Sequence, residues 1–341
     1  MRAAVMRNRE LIVDEVADPV PAQGELLVRT LACGICGSDL HALRHGDQMV
    51  DMSRTAGAPF VMDLERDVVM GHEFCAEVLD VGPDTAAMVK SGDRIVSIPV
   101  VLTATGGLHS VGYSNDYPGG YAERMLLSSM LALPVPNGLD SELAALTEPM
   151  AVGRHAVARS GITPGHAALV VGCGPVGLAV IAELARLGIG PIVAADFSPA
   201  RRALAETMGA TEVVDPEVEA PIAAWQRVDG AKQLVMFEAV GVPGMIDQAM
   251  LAAPRGTKIL VVGVCMEPDT VRPMIGIGKE LDLAFALGYS YEEFAGTLRS
   301  IAEGELDVSP LITGRVGLDG VPKAFVDLGN PESHCKILVE P

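Results

Sequence analysis

The first residues with chemistry to offer lie between Ala167 and Asp196, in the stretch AALVVGCGPVGLAVIAELARLGIGPIVAAD. Gly172, Gly174 and Gly177, with Pro175 and Val176 between the last two, form the pattern G-x-G-x-x-G. Glycines at this spacing let a backbone turn tightly and approach a pyrophosphate, whose charge then rests on the N-terminus of the following helix. Asp196 comes 24 positions after Gly172 and closes a second apolar run, Ile192 to Ala195, where a carboxylate can hydrogen-bond a ribose hydroxyl. The elements needed to hold these groups are present. Ala167 to Val171 reads as a strand buried on both faces. Val176, Val180, Leu184 and Leu187 recur at helical spacing, and Gly188 is placed to end that helix. An ordinary βαβ unit with a glycine-rich turn is the competing reading. Strand, turn, helix, strand and acid arriving in that order favour a dinucleotide.

A second set is more scattered. Two tight polar clusters, Gly34-Ile-Cys-Gly-Ser-Asp-Leu-His41 and Gly71-His-Glu-Phe74, precede the segment Glu148-Pro-Met-Ala-Val. Cys36, His72 and Glu148 supply a thiolate, an imidazole and a carboxylate, a sensible catalytic zinc set with the fourth position open. Singly, each has an ordinary core reading, and the gaps between them carry no signal of their own. Cys33 and Cys75 adjoin these clusters and read as small core thiols.

The remaining chain must fold around both sets. At 341 residues it exceeds what one core supports, and 49% hydrophobic content suffices for two. Lys+Arg 25 against Asp+Glu 44 gives a net charge of −19, which argues against nucleic acid or an anionic membrane as partner. No apolar run approaches the ~20 residues of a membrane span. The N-terminus MRAAVMRNRELIVDE has a polar-interrupted strand pattern rather than that of a signal peptide. The six scattered cysteines are therefore expected to be reduced thiols in the cytoplasm.

Short strands are expected in the first 35 residues, then an irregular segment from Ala42 to Met70, strands around 75–81 and 93–98, and a loop over 99–120. From Thr147 helices and strands alternate. Pro149 and Gly161 bracket one helix, Ser198-Pro199 opens another, and two more are expected near 220–227 and 243–252. Ser290 and Glu293 form a capping box. This alternation predicts a doubly wound parallel sheet of order 3-2-1-4-5-6, nested between the two parts of a strand-rich domain. The expected boundaries are 1–147 with 291–341 for the outer domain and 148–290 for the inner one.

Taken together, G-I-C-G-S-D-L-H, G-H-E-F, E-P-M-A-V-G-R-H-A-V and V-G-C-G-P-V-G closely resemble the zinc-dependent medium-chain alcohol dehydrogenase family. Glu148 makes the chain similar to the sorbitol and butanediol dehydrogenase branch, since the ethanol-oxidising branch has a cysteine there. The resemblance implies an α/β protein with a GroES-like β-rich catalytic domain and a Rossmann cofactor domain. It implies Cys36, His72 and Glu148 as zinc ligands, Ser38 as the hydroxyl that bonds the substrate oxygen, and His41 as a proton-relay histidine. Asp39 matches the acid that orients the zinc histidine, and Glu73 a residue beside the metal that in some relatives reaches it. Asp196 matches the ribose-binding acid and Arg201 a basic residue flanking that ribose. The reaction implied is oxidation of an alcohol or polyol coupled to reduction of NAD. Zinc-independent quinone or enoyl reductases of the same fold, and a non-catalytic NAD-binding protein, are the alternatives.

One departure from the family pattern is plain. Residues 99–120 lack the four cysteines that commonly hold a structural zinc, so one catalytic zinc per chain is expected. Val101, Leu102 and Leu108 are candidates to pack that lobe instead. Tyr113 and Tyr117 give it an apolar character that leans toward a neutral secondary alcohol or polyol, although Arg44 and Arg54 in the long segment could face an anionic substrate. An apolar sixth strand near Asp282 to Leu287 predicts a homodimer or homotetramer.

Overall fold

The short apolar runs after residue 165 form one fully parallel six-stranded sheet. Its spatial order is Glu212–Val214, Ile192–Ala195, His166–Val171, Gln233–Glu238, Lys258–Val261, Asp282–Phe285, which is 3-2-1-4-5-6 as expected. The protein is described here by a computed structural model covering residues 1–57, 62–103 and 106–341. The glycine turn is sterically required. Gly172 has φ +94°, and a Cβ there would meet the Ala239 carbonyl oxygen at 2.8 Å. A Cβ on Gly177 would sit 1.9 Å from the Gly172 oxygen. The following helix, Pro175–Arg186, buries Leu178, Val180, Ile181 and Leu184, each contributing roughly 1.5–3 kcal/mol by leaving water. Ser198 Oγ accepts from the Arg201 amide at 3.1 Å. The Ser290–Glu293 capping box is reciprocal, at 3.2 and 2.7 Å. Helices Pro221–Asp229 and Met245–Ala252 lie where the periodicity placed them.

The other sheet has seven strands and does the positioning. Strand Glu25–Gly34 pairs antiparallel with Glu73–Val81 on one side and with Lys336–Val339 on the other. Its register sets Gly34 opposite both Glu73 and Leu338. The clusters at 34–41 and 71–74, together with the C-terminal strand, therefore meet at one end of the sheet. Helix Tyr291–Ala302 joins the two cores. Phe294 and Leu298 pack with Ala32, Cys75 and Val96, while Ile301 belongs to the cluster around Leu178 and Ile181.

Two expectations are corrected. Much of the segment from Ala42 to Met70 is helix, within Gly37–Ala56, and ends on Gly57 in the left-handed region at φ 69°. Its inner face is Ala42, Gly46, Val50 and Ser53, a helical period built of small and polar residues that gives little apolar signal. A kink at His45 (φ −128°, ψ 30°) interrupts it. Residues 58–61 of this segment, and residues 104–105 of the following lobe, lie outside the described residues. The lobe at 99–120 is also not all loop, since Val100–Leu102 pairs with Leu108–Ser110. Of its three apolar candidates only Val101 is buried; Leu102 and Leu108 are 40% and 49% exposed, and Val111 and Tyr113 fill the interior. Among the described residues no helix is long and apolar enough to cross a membrane.

Candidate active site

Cys36 is the N-cap of helix Gly37–Ala56, two residues past the end of strand Glu25–Gly34, and His72 immediately precedes strand Glu73–Val81. The pairing of Gly34 with Glu73 brings these ends together. Cys36, His72 and Glu73 each place a ligand atom so that all lie within 4.8 Å of one another. Glu73 fits there because residue 34 is glycine; a Cβ at that position would sit 2.1 Å from Glu73 Oε2. The side chains of Glu73 and its partner Lys336 are 0% and 2% exposed, and both carboxylate oxygens accept from Lys336 Nζ at 2.7 Å. Burial opposes the Lys336 charge, but Glu73 and the Cys36 sulfur overcome it and keep the ammonium protonated.

Asp39 is the hub on the opposite side. It is fully buried and accepts from the Cys36 amide at 3.0 Å and the Tyr121 hydroxyl at 2.7 Å. The Tyr113 oxygen lies 2.9 Å from Asp39 Oδ1 and 2.8 Å from Ser38 Oγ. His72 turns Nδ1 toward Asp39 Oδ1 at 3.4 Å, too far misaligned to satisfy that nitrogen, and Nε2 toward Ser38 Oγ at 3.5 Å. Burial alone would disfavour a cationic His72, yet the Asp39 carboxylate overrides it and favours positive charge at this ring.

Glu148, the third ligand expected, stands outside this cluster of three. It lies at the start of helix Thr147–Ser160, its Oε1 accepts from the Tyr289 hydroxyl at 2.9 Å, and it is not one of the three clustered ligands. Burial first, then the neighbouring Glu73 charge, pushes its carboxyl up to about 7. His41 lies one turn along its helix from the cluster, with its ring 6.2 Å from that of His45. Burial, helped by the His45 and Arg44 charges, lowers the proton affinity of its imidazole. Arg54, also on this helix, pairs with Asp51 at 3.5 Å on the exposed face.

On the cofactor side Gly174 is the N-cap of helix Pro175–Arg186 and makes no side-chain cap bond, which leaves amides for an anion. Asp196 ends its strand with Oδ2 accepting from the Cys173 amide at 2.8 Å and Oδ1 from the Ser198 amide at 2.9 Å. Its carboxylate is thereby held at the mouth of the glycine turn. Arg201 Nη1 is 3.8 Å from that carboxylate. Arg202, which sequence reasoning did not single out, donates to the Asp196 and Phe197 carbonyls at 2.7 Å and shapes the same corner. Lys336, Tyr121 and Tyr289 were likewise missed, and Tyr113 was read only as apolar lining.

Comparison with known proteins agrees with this geometry. An alcohol dehydrogenase GroES-like domain matches residues 22–137, and a zinc-binding dehydrogenase family matches residues 175–303. The (R,R)-butanediol dehydrogenase of Bacillus subtilis (strain 168) is 33% identical over 100% of both chains. The sorbitol dehydrogenase of the same organism is 28% identical over 100% of this chain and 97% of its own. The crystal structure of 2R,3R-butanediol dehydrogenase from Bacillus subtilis superposes with a TM-score of 0.85 at 30% identity, covering 100% of this chain and 99% of that one. With this fold, the clustered cysteine, histidine and glutamate and the nucleotide turn, the chain belongs to the zinc-dependent medium-chain alcohol dehydrogenase family, as an alcohol or polyol oxidoreductase of its sorbitol and butanediol dehydrogenase branch.

Proposed function

We propose that this enzyme oxidises a neutral secondary alcohol or polyol with NAD, reversibly, through one zinc ion held by Cys36, His72 and Glu73. The supporting observation is the meeting of those three donors within 4.8 Å, beside the Ser38 hydroxyl. Thiolate, imidazole and carboxylate suit zinc, and three protein ligands leave a position for substrate. A divalent cation would also offset the burial and the Glu73 charge that together raise Glu148. Glu148, the third ligand implied by family resemblance, is held instead by the Tyr289 hydroxyl and would hydrogen-bond a group bound to the metal. A zinc-independent reductase has no use for this donor set.

Bound zinc would supply a Lewis acid for the substrate oxygen, and NAD would supply a hydride acceptor. The chain's own groups do the rest. Asp39 keeps His72 turned with Nε2 toward the site. Ser38 Oγ accepts a hydrogen bond from the substrate hydroxyl, and as that proton passes to Oγ the serine releases its own hydrogen by way of the nicotinamide ribose toward His41. His41, with its lowered proton affinity, is neutral at neutral pH and passes that proton to solvent. Asp196 bonds the adenosine ribose, and its charge disfavours a 2′-phosphate. A panel of alcohols, diols and sugars assayed for NADH formation tests the reading. Turnover of secondary alcohols or polyols supports it, and activity confined to quinones or enoyl substrates overturns it.

The same proposal includes a homodimer or homotetramer, because strand Asp282–Phe285 is a sheet edge exposing Leu283 and Phe285. A monomer at micromolar concentration in sedimentation velocity would remove that part. It also places the enzyme in the cytoplasm, with no nucleic acid or membrane partner; recovery in a membrane fraction would contradict this.

A further inference from the structure

The lobe at 99–120 sends one side chain into the catalytic network. Tyr113 is buried, its ring centroid lies 5.2 Å from that of His72, and its oxygen reaches both Ser38 Oγ and Asp39 Oδ1. Its backbone is pinned on both sides. The Tyr113 amide donates to the Ser110 carbonyl, and Asn115 bonds the carbonyls of Asp63 and Asp67.

A phenol has one hydrogen, and here the Ser38 oxygen and the Asp39 carboxylate both lie within its reach. The Asp39 carboxylate can only accept and is charged, so it takes that hydrogen. The 2.8 Å contact with Ser38 is then made by the Ser38 hydroxyl donating to the Tyr113 oxygen. We propose that Tyr113 is a positioning residue for Ser38. By accepting the Ser38 hydrogen before substrate binds, it turns the Oγ lone pairs toward the donor cluster, ready to accept from the hydroxyl of an alcohol substrate. The inference rests on the role given to Ser38 above. In effect the lobe without structural-zinc cysteines orients the substrate-binding hydroxyl from behind.

Tyr121 provides a matched control. It also donates to Asp39, at 2.7 Å, and no bond from it to Ser38 is present. Tyr113→Phe and Tyr121→Phe each delete one hydroxyl at constant ring volume, and both are combined with Ser38→Ala. The expected result is a fall in kcat/KM of about tenfold to a hundredfold for Tyr113→Phe in the wild type, and at most about twofold in the Ser38→Ala background. Tyr121→Phe should have the same effect in both backgrounds. Zinc content by elemental analysis and NAD affinity by calorimetry should be unchanged in Tyr113→Phe. Equal losses from Tyr113→Phe in the two backgrounds, or loss of zinc, would place its role at Asp39 or the fold and overturn the proposal. Wild-type activity in Ser38→Ala would instead overturn the role of Ser38 itself, a separate outcome. Should Tyr113→Phe not fold, a ring-fluorinated tyrosine in place of Tyr113 keeps the contacts while weakening the acceptor. It must then lower kcat/KM only where Ser38 is present, and no difference overturns the proposal.

Discussion

Replacing Lys336 by methionine should be among the most damaging single changes away from the substrate. The ammonium makes two bonds to Glu73 at 2.7 Å and one to the Ile35 carbonyl at 3.1 Å, with both side chains buried. Lys336→Met keeps most of the volume and removes the charge. Glu73 then remains as an uncompensated buried carboxylate, wedged against Gly34 with no room to withdraw that way. Removing one partner of such a pair costs about 3–5 kcal/mol, whereas removing both is close to neutral. Urea unfolding followed by circular dichroism, with chelator present, should show that loss for Lys336→Met and recover more than half of it in Glu73→Gln/Lys336→Met. Added zinc should stabilise Lys336→Met more than wild type, because the cation takes over the missing charge. A loss below about 1 kcal/mol for the single change, or no recovery in the double variant, would refute the reasoning.

Three further outcomes follow from the site. Glu73→Ala should lower zinc affinity by at least about tenfold to a hundredfold, whereas Glu148→Ala should retain zinc and lose turnover; competition with a chromophoric chelator separates the two, and the reverse pattern would return Glu148 to the ligand set. Asp196→Ala should shift the NADP to NAD ratio of kcat/KM toward NADP by about tenfold or more, and better wild-type turnover with NADP would contradict the assignment. Burial would raise Glu293, but the Ser290 amide and His155, 2.9 Å away, outweigh it and lower the folded-state pKa. Its contribution is present above the unfolded pKa and disappears as pH falls through the lower folded value. Glu293→Gln should therefore melt below wild type at pH 7 and converge on it as pH drops below about 4.

What was legible in the sequence had local causes. The glycine turn, the six-strand order and the capping box at Ser290 and Glu293 each depend on residues within a few positions of one another or on simple periodicity. Helix Gly37–Ala56 was not legible because its buried face is Ala, Gly, Val and Ser, which pack closely without an apolar stripe. The groups that tune the site were hidden by distance along the chain. Tyr113 bonds Asp39 across 74 positions, Tyr289 bonds Glu148 across 141, and Lys336 bonds Glu73 across 263. Glu148 could be recognised as a site residue, but that Glu73 stands closer to Cys36 and His72 follows from strand register and the absent Cβ of Gly34.

The central claim, zinc-dependent alcohol oxidation at Cys36, His72 and Glu73, is tested most directly by reconstitution. Chelator-treated protein would be titrated with zinc while alcohol-dependent NADH formation and far-ultraviolet circular dichroism are followed together. The account predicts no turnover without metal, an unchanged fold, and activity rising to a plateau at a single zinc per chain. Full turnover by the metal-free protein would contradict it.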